Sequence, residues 1–524
     1  MLDPERRWKG AGQCIRKMAP PKAVLRLWCW KWRAGRSVGG RSGGAVGRLA
    51  GLLCGTGARS RHWLCFVRPA GEVDAAPVGE KVNKDICACF RAAAGISRAA
   101  ALSLTARIAP PGETWYNIIY IFTDKKDCFN HMIDYRRALT PEIQAVPESS
   151  IKEFFDIINE MPEAISLGLG EPDFVTPEHI RKAGAASLLE GHTKYTQNPG
   201  LPALREAIAA YLAGRFALHY DAADEILVTV GGSEAIDLAI RCLVGAGDEV
   251  LVPSPTFVCY GPLAAVCGGV VKELVTTEET GFRVTAQQIA AALTERTKLL
   301  VLPYPSNPTG AILEESDLRA IADVLRGTNV IVLCDEIYGE LTYGRRHCSF
   351  ASQEDMRERT LVVGGFSKAF AMTGWRMGYL CGPRELVKPA AALHGYGIMS
   401  APTVTQHAAI EAMRNGMEDI ETMRMEYDAR RALLVRGLQE MGLRCSEPQG
   451  AFYCFPYIGE FGCSDVEFCR ALLLEEQVAI IPGSAFGPGG AGYARVCYAA
   501  DRAKIEEALR RMARFLKRLR TEKE

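Results

Sequence analysis

Lys368 and Arg376 follow the short apolar run Thr360–Val363 and stand eight residues apart. A lysine amine forms Schiff bases with carbonyl compounds. An arginine guanidinium binds phosphate through two parallel hydrogen bonds. A lone lysine is typical of a surface charge, but a lysine and an arginine after one apolar run indicate amine chemistry beside a bound phosphate.

An acid and a phenol follow the next run upstream, Val330–Cys334. Asp335 comes directly after the run, and Tyr338 stands three residues further on. A carboxylate that ends a buried strand is costly unless it is paired. A pyridinium nitrogen is one such partner, and Tyr338 is placed to reach the same ligand. An N-cap for the following helix is the alternative for Asp335.

Two further turns carry polar groups after apolar runs. Gly231-Gly232-Ser233-Glu234 leads into a helix through Ala235–Cys242. Such a turn directs backbone N–H groups and the positive helix end at an anion, although a strand-to-helix turn often needs glycine anyway. Asn307 stands between prolines in Pro303–Gly310, where the alternative is an ordinary Asn-Pro turn.

The elements that carry these residues alternate between short apolar strands and amphipathic helices. Six strands are predicted before residue 426: Glu225–Val230, Glu249–Val252, Lys298–Leu302, Val330–Cys334, Thr360–Val363 and Gly378–Cys381. This alternation predicts a mostly parallel sheet covered on both faces, with ligands at the carboxyl ends of its strands. After Glu426 the helices are longer, and strands Phe452–Phe455 and Ala494–Tyr498 predict a second, α+β domain. Ser150–Met161 is predicted to form a short helix.

The first 131 residues differ in composition from the rest. They hold 22 Lys or Arg against 9 Asp or Glu, whereas the remainder holds 40 against 52. We find neither helical periodicity nor strand alternation there. Three interpretations stay open: a disordered extension or a start placed upstream of Met132, a transit peptide, and a basic arm that binds nucleic acid without specificity.

The 18 cysteines form no C-x-x-C pair, and many stand in apolar runs. This usage is typical of buried thiols in a reducing compartment, so we expect a cytoplasmic protein without disulfides or a structural metal. No run reaches the roughly 20 apolar residues of a membrane span.

Six segments, taken in order, resemble motifs of the class I and II aminotransferases. They are Leu167–Phe174 (LGLGEPDF), Lys194–Arg205 (KYT…GL…LR), Ser306–Gly310 (SNPTG), Asp335 with Tyr338, Phe366–Tyr379 (FSKAFAMTGWRMGY), and Pro482–Phe486 with Arg495. The resemblance covers nearly everything after Met132. It implies the pyridoxal-phosphate-dependent (PLP) transferase fold type I, an α/β fold whose large domain has a mostly parallel sheet, plus a smaller α+β domain. It also implies a homodimer with a shared active site.

The family's cofactor contacts map onto residues of this chain. The resemblance implies that Lys368 joins pyridoxal 5′-phosphate as a Schiff base and acts as general acid and base. Asp335 should keep the ring nitrogen protonated, and Asn307 and Tyr338 should bind the ring oxygen. Phe257 should stack on the ring, although an ordinary core position is the alternative.

The phosphate and substrate contacts follow by the same resemblance. The phosphate is expected to be held by Arg376, by the turn of Gly232, Ser233 and Glu234, and by Tyr195 from the other subunit, and Ser367 is a further expected cofactor contact. Arg495 should bind the substrate α-carboxylate with help from Asn307 and the backbone of Gly170. One departure is Gly365, where many relatives carry a phosphate-binding serine, so binding loses one hydrogen bond worth about 0.5–3 kcal/mol.

These implications predict four segments: an extension (1–131), the N-terminal part of the small domain (132–178), a large PLP-binding domain (179–425) and the C-terminal part of the small domain (426–524). The predicted activity is ping-pong transfer of an amino group from an L-amino acid to a 2-oxo acid. The sequence looks closest to the branch with aspartate, aromatic and N-acetyl-diaminopimelate aminotransferases. Arg241 is interpreted as a structural helix-face residue, not as a receptor for a substrate's distal carboxylate.

Two other functions stay open. A C–S β-lyase of the same fold would release pyruvate and a thiol without a 2-oxo acid acceptor. A transcription regulator would need a winged helix-turn-helix of three amphipathic helices, and 1–131 shows none, so a nucleic-acid partner is not expected.

Overall fold

The computed structural model divides the chain into two compact units, Met1–Ile133 and Asp134–Glu524. It describes four strands of the first unit, and residues 135–146 and 161–521 of the second. The predicted helix Ser150–Met161 lies outside the described residues, apart from its last residue. The four-segment division predicted from sequence stays a prediction.

The first unit contains a four-stranded antiparallel sheet in the order β1-β2-β4-β3. Its strands are β1 (Leu53–Gly57), β2 (Ser60–Val67), β3 (Ala101–Ile108) and β4 (Tyr116–Thr123). Our finding of no strand alternation was therefore wrong for β3, where Leu102, Leu104, Ala106 and Ile108 alternate with polar or small residues. The alanine-rich sequence that leads into this strand obscured its two-residue period.

The second unit is built on a seven-stranded sheet in the order β6-β12-β11-β10-β9-β7-β8. Its strands are β6 (Ile226–Thr229), β7 (Glu249–Ser254), β8 (Val270–Val275), β9 (Thr297–Leu302), β10 (Ile331–Asp335), β11 (Thr360–Gly365) and β12 (Gly378–Cys381). Strand β12 runs antiparallel to both of its neighbours, and the other pairings are parallel. The predicted mostly parallel sheet is confirmed. Strand β8 was missed because this edge strand carries Lys272 and Glu273 and has no continuous apolar run.

Both faces of this sheet are covered, as its apolar strands predict. In β9, Leu299 and Val301 belong to one apolar cluster, whereas Leu300 and Leu302 belong to another. Alternate residues of a strand point to opposite faces, so helices must pack on both sides. The described α-helices before residue 426 are α1 (Tyr135–Ala138), α2 (Pro141–Ala145), α3 (Glu178–Leu189), α4 (Pro202–Phe216), α5 (Gly231–Leu243), α6 (Tyr260–Val266), α7 (Ala286–Ala292), α8 (Glu315–Leu325), α9 (Arg384–Gly397), α10 (Thr403–Asn415) and α11 (Met417–Glu440), which extends past it.

The C-terminal part combines α11 with α12 (Asp465–Glu476), α13 (Arg502–Thr521) and two small sheets. One sheet has the order β13-β16-β15, with β13 (Tyr453–Cys454), β15 (Ile481–Pro482) and β16 (Ala494–Cys497). The other pairs β14 (Val478–Ala479) with β5 (Ile165–Ser166) in parallel. This last pairing brings the segment after Ser166 to the C-terminal part of the chain. No helix among the described residues is long and apolar enough to span a bilayer.

Candidate active site

Lys368 lies just beyond the carboxyl end of β11, in the turn that leads to β12. Its Nζ donates a hydrogen bond to the carbonyl oxygen of Gly170 at 2.6 Å. The same Nζ lies 5.8 Å from the ring centre of Tyr338 and 5.6 Å from that of Phe452. Residues from three distant parts of the sequence thus surround one amine.

Burial lowers the pKa of Lys368 from 10.5 to about 8. Arg495 and Arg376 act in the same direction, while Cys497 and Glu171 oppose it. A lysine with a pKa near 8 holds a useful fraction of neutral, nucleophilic amine at neutral pH.

Asp335 ends β10 as a buried carboxyl group. Its Oδ2 accepts a hydrogen bond from the hydroxyl of Tyr260 at 2.7 Å, and its Oδ1 accepts one from the N–H of Ile337 at 3.2 Å. Burial raises the pKa of Asp335, and these two hydrogen bonds oppose the rise. Tyr260 was missed from sequence because nothing local links it to a residue 75 positions away.

Tyr338 reaches into the same region and has a partner that the sequence did not reveal. Its hydroxyl shares a hydrogen bond of 2.7 Å with the hydroxyl of Tyr453 in β13. Both side chains are buried, and burial raises the pKa of both phenols. Tyr453 also lies under the guanidinium of Arg495, 4.6 Å from the ring centre to Cζ. It therefore contacts two of the predicted site residues.

Arg495 and Asn307, both expected at a carboxylate site, lie in contact with each other. Arg495 Nη1 donates to Asn307 Oδ1 at 2.8 Å, and Nη2 donates to the carbonyl oxygen of Gly168 at 2.5 Å. The guanidinium lies between the rings of Tyr453 and Phe486. Its buried Nε has no hydrogen-bond partner among the described residues.

The turn between β6 and α5 lies against the side chain of Arg376. Gly231 begins α5 with a φ of +78°, a conformation that favours glycine. A Cβ at this position would lie 2.5 Å from Nη2 of Arg376. Gly232, Ser233 and Glu234 follow in the first helical turn, where N–H groups lack partners within the helix.

Close contacts with neighbouring residues favour glycine at position 365. A Cβ there would lie 2.7 Å from Cδ1 of Ile337 and 3.2 Å from the carbonyl oxygen of Met377. A serine would have to displace one of these neighbours. The departure from the serine of many relatives therefore fits the local packing of this chain.

The other predicted cofactor contacts, Ser367, Phe257 and Tyr195, differ in how far they are exposed. Ser367 is buried directly before Lys368. Phe257 is half-buried, with its ring edge-on to Tyr260 at 6.3 Å between ring centres. The side chain of Tyr195 is 82 % exposed and does not join this cluster within the chain.

Arg241 pairs with a neighbour on its own helix. Its Nε donates to Asp237 at 2.8 Å, one helical turn away. This exposed pair agrees with the structural interpretation of Arg241. Among the described residues, no group of three or more His, Cys, Asp or Glu side chains is arranged to hold a metal ion.

Comparisons with known proteins agree with this geometry. The family described as aminotransferase class I and II matches residues 162–512. The putative aminotransferase YugH of Bacillus subtilis is 48 % identical over 378 residues, which are 72 % of this chain and 98 % of that protein. An aspartate aminotransferase of Pyrococcus abyssi is 42 % identical over 383 residues, again 72 % of this chain and 98 % of that protein.

A solved structure of the same kind is the aspartate aminotransferase from Thermus thermophilus with maleate. It superposes with a TM-score of 0.69 at 37 % sequence identity, and the match covers 72 % of this chain and 99 % of that one. The resemblance inferred from six sequence motifs is confirmed.

Proposed function

The chain belongs to the class I and II aminotransferases, and we propose that it uses pyridoxal 5′-phosphate to move an amino group from an L-amino acid to a 2-oxo acid. The transfer runs as two half-reactions at one site. The observation that carries the proposal is the amine of Lys368 at a strand end, with a lowered pKa, beside Asp335, Tyr338 and Arg495.

The residues present fit this cofactor. The glycine turn at Gly231 lies against the guanidinium of Arg376, and a Cβ there would fill the space. N–H groups of a helix start and an arginine are phosphate ligands. The buried carboxyl of Asp335 suits a protonated ring nitrogen. The Lys368 amine suits attachment to the carbonyl carbon of the cofactor.

The cofactor, when bound, supplies an electron sink that stabilises negative charge on the substrate's α-carbon. The chain's residues do the rest. Lys368 would accept the proton from the substrate's α-carbon and donate a proton to the C4′ carbon of the cofactor. Asp335, held by Tyr260, keeps the ring nitrogen protonated, and Tyr338 and Asn307 donate to the ring oxygen.

Arg495 orients the substrate through its α-carboxylate. The Nε of Arg495 is without a partner among the described residues, while its two Nη atoms are held by Asn307 and Gly168. These hydrogen bonds and the flanking aromatic rings fix the plane of the guanidinium, so a carboxylate meets a preorganised donor.

A homodimer with a shared site would account for two exposed aromatic residues. The side chains of Tyr195 and Tyr396 are 82 % and 93 % exposed. The backbone oxygen of Lys194 accepts a hydrogen bond from Thr403, so the Tyr195 loop is fixed on the second unit. Exposed aromatic side chains on a fixed surface favour a protein interface, and in such a dimer we expect Tyr195 to reach the phosphate of the second copy.

The test is a half-reaction with single amino acids. Full-length protein loaded with pyridoxal phosphate is mixed with aspartate, glutamate, aromatic amino acids, alanine or N-acetyl-diaminopimelate, and the cofactor absorbance is followed. We expect one of them to convert the cofactor to pyridoxamine phosphate, and the donor that does so fastest identifies the substrate. Lys368→Ala is the matched control and should give no conversion.

Two results would contradict the proposal. One is an unchanged cofactor spectrum with every donor. The other is pyruvate from a thioether amino acid without any 2-oxo acid acceptor, which would favour a β-lyase.

A further inference from the structure

The carboxyl group of Glu234 is held on both sides, although it stands in the first turn of the helix that faces the proposed phosphate. Its Oε2 accepts a hydrogen bond from the N–H of Val230 at 2.5 Å. Its Oε1 lies 2.8 Å from Nδ1 of His394. A carboxylate can only accept, so Nδ1 is the donating nitrogen. Both oxygens of Glu234 thus have donors from the chain.

The contact with Val230 fixes the turn itself. Val230 is the N-cap of α5 and has no side-chain capping partner. Glu234 is the fourth helical residue, and its carboxylate supplies the acceptor for the N-cap N–H, a role that the third helical residue has in a capping box. Gly231, directly after Val230, is the residue whose backbone lies against Arg376. The position of Glu234 consequently sets the turn that precedes the phosphate-binding N–H groups.

His394 reaches this turn from a different helix. It stands near the C-terminal end of α9, which packs against α5, and it is fully buried. Its Nε2 has no hydrogen-bond partner among the described residues. Burying an imidazole with one nitrogen unpaired is unfavourable, and packing alone would be served better by an apolar side chain. The contact with Glu234 gives this buried imidazole a role.

The charge of Glu234 makes this contact relevant to anion binding. A carboxylate in the first helical turn adds negative charge close to a phosphate that is itself negative. A second donor on that carboxylate disperses its charge and prevents it from turning towards the N–H groups of Gly232 and Ser233.

We propose that His394 is a positioning residue for the cofactor phosphate, acting through Glu234 on the β6–α5 turn and on Arg376. This inference rests on the proposed cofactor, but the residue, its direction of action and its readout are independent of which amino acid is the substrate. His394 itself touches neither cofactor nor substrate in this scheme.

The experiment uses three substitutions of the same residue. His394→Asn keeps an N–H donor close to the position of Nδ1, whereas His394→Gln carries its donor one bond further out and His394→Leu carries none. The dissociation constant for pyridoxal phosphate is measured on each full-length protein after cofactor removal, and the ³¹P resonance of the bound phosphate is recorded. Circular dichroism checks that each variant is folded.

We expect His394→Leu and His394→Gln to weaken cofactor binding by roughly tenfold or more, the scale of one lost hydrogen bond to a charged group. Both should displace the ³¹P resonance. His394→Asn should stay within about threefold of the wild type and restore the resonance. His179→Leu is the matched control, because His179 also binds two carboxylates, Glu411 and Asp419, but shares no partner with Glu234; its affinity and resonance should match the wild type.

The outcomes separate this inference from the function on which it rests. Wild-type affinity and resonance in both His394→Leu and His394→Gln would overturn it while leaving the proposed function standing. An Asn variant as weak as the Leu variant would also overturn it, because the donor at Nδ1 would then not matter. A wild-type protein that fails to bind pyridoxal phosphate would contradict the proposed function, and this inference with it.

Discussion

Lys368→Met is expected to abolish transamination and, at the same time, to stabilise the cofactor-free protein. Burial lowers the pKa of Lys368 from 10.5 to about 8. That difference corresponds to about 3 kcal/mol by which the charged amine destabilises the fold. The variant also loses the hydrogen bond from the charged amine to the Gly170 oxygen, worth about 1.5 kcal/mol. The net expected gain in the free energy of unfolding is about 1.5 kcal/mol at pH 7.

The sign of the pH dependence follows from the two pKa values. The folded pKa lies below the unfolded one, so between about pH 8 and 10.5 the unfolded chain holds more protons, and wild-type stability rises with pH. Near pH 10 most of the penalty is gone, and the advantage of the methionine variant should vanish. Urea unfolding of both cofactor-free proteins at pH 7 and pH 10 measures this difference directly.

Lys182→Met is the matched control for removing a lysine charge. Lys182 is exposed and pairs with Glu178 one turn away, so we expect neither a gain in stability nor a change between the two pH values. A Lys368→Met protein that is less stable than the wild type at pH 7 would refute the reasoning. So would a gain of the same size at pH 10, because it would show that the charge of the amine is not its cause.

Three further predictions test other contacts of the second unit. Tyr453→Phe removes the hydroxyl that pairs with Tyr338, so we expect kcat to fall about tenfold and the pH midpoint of the bound cofactor's absorbance to move. Arg376→Gln should raise the dissociation constant of pyridoxal phosphate about ten- to hundredfold in titrations of cofactor-free protein, since one charge-assisted hydrogen bond is lost. His179→Leu should destabilise the protein more at pH 5.5 than at pH 9 in urea unfolding. The hydrogen bond with Asp419 and a second carboxylate raise the pKa of His179. Its contribution to the free energy of unfolding is therefore complete below the ordinary pKa of 6.5 and is lost as the pH rises through the raised value.

The sequence predicted the residues that end buried strands because strand ends have a local signature. Asp335 comes at the end of an apolar run, and the structure places it at the end of β10. Lys368 follows the run that forms β11. The carboxyl ends of parallel strands share one edge of a sheet, so these side chains were expected near one another before any distance was known.

The partners of these residues were not predictable, since they are joined across long stretches of chain. Tyr453 was placed correctly on a strand, but its hydroxyl meets that of Tyr338, 115 positions away. His394 meets Glu234 across 160 positions. No spacing or periodicity encodes such pairs. A buried histidine or tyrosine also looks like ordinary core in a sequence until the atom that faces it is known.

The same cations connect ligand binding to the reactivity of Lys368. Arg376 and Arg495 are the proposed contacts of a phosphate and a carboxylate. Burial lowers the pKa of Lys368, and both arginines lower it further. Each arriving anion offsets one of these positive charges. Phosphate or carboxylate binding should therefore raise the proton affinity of the amine, which favours its role as a base once the substrate is in place. The arginines proposed as ligand contacts thus also set the proton affinity of the lysine, which we expect to be lower in the empty site than in the occupied one.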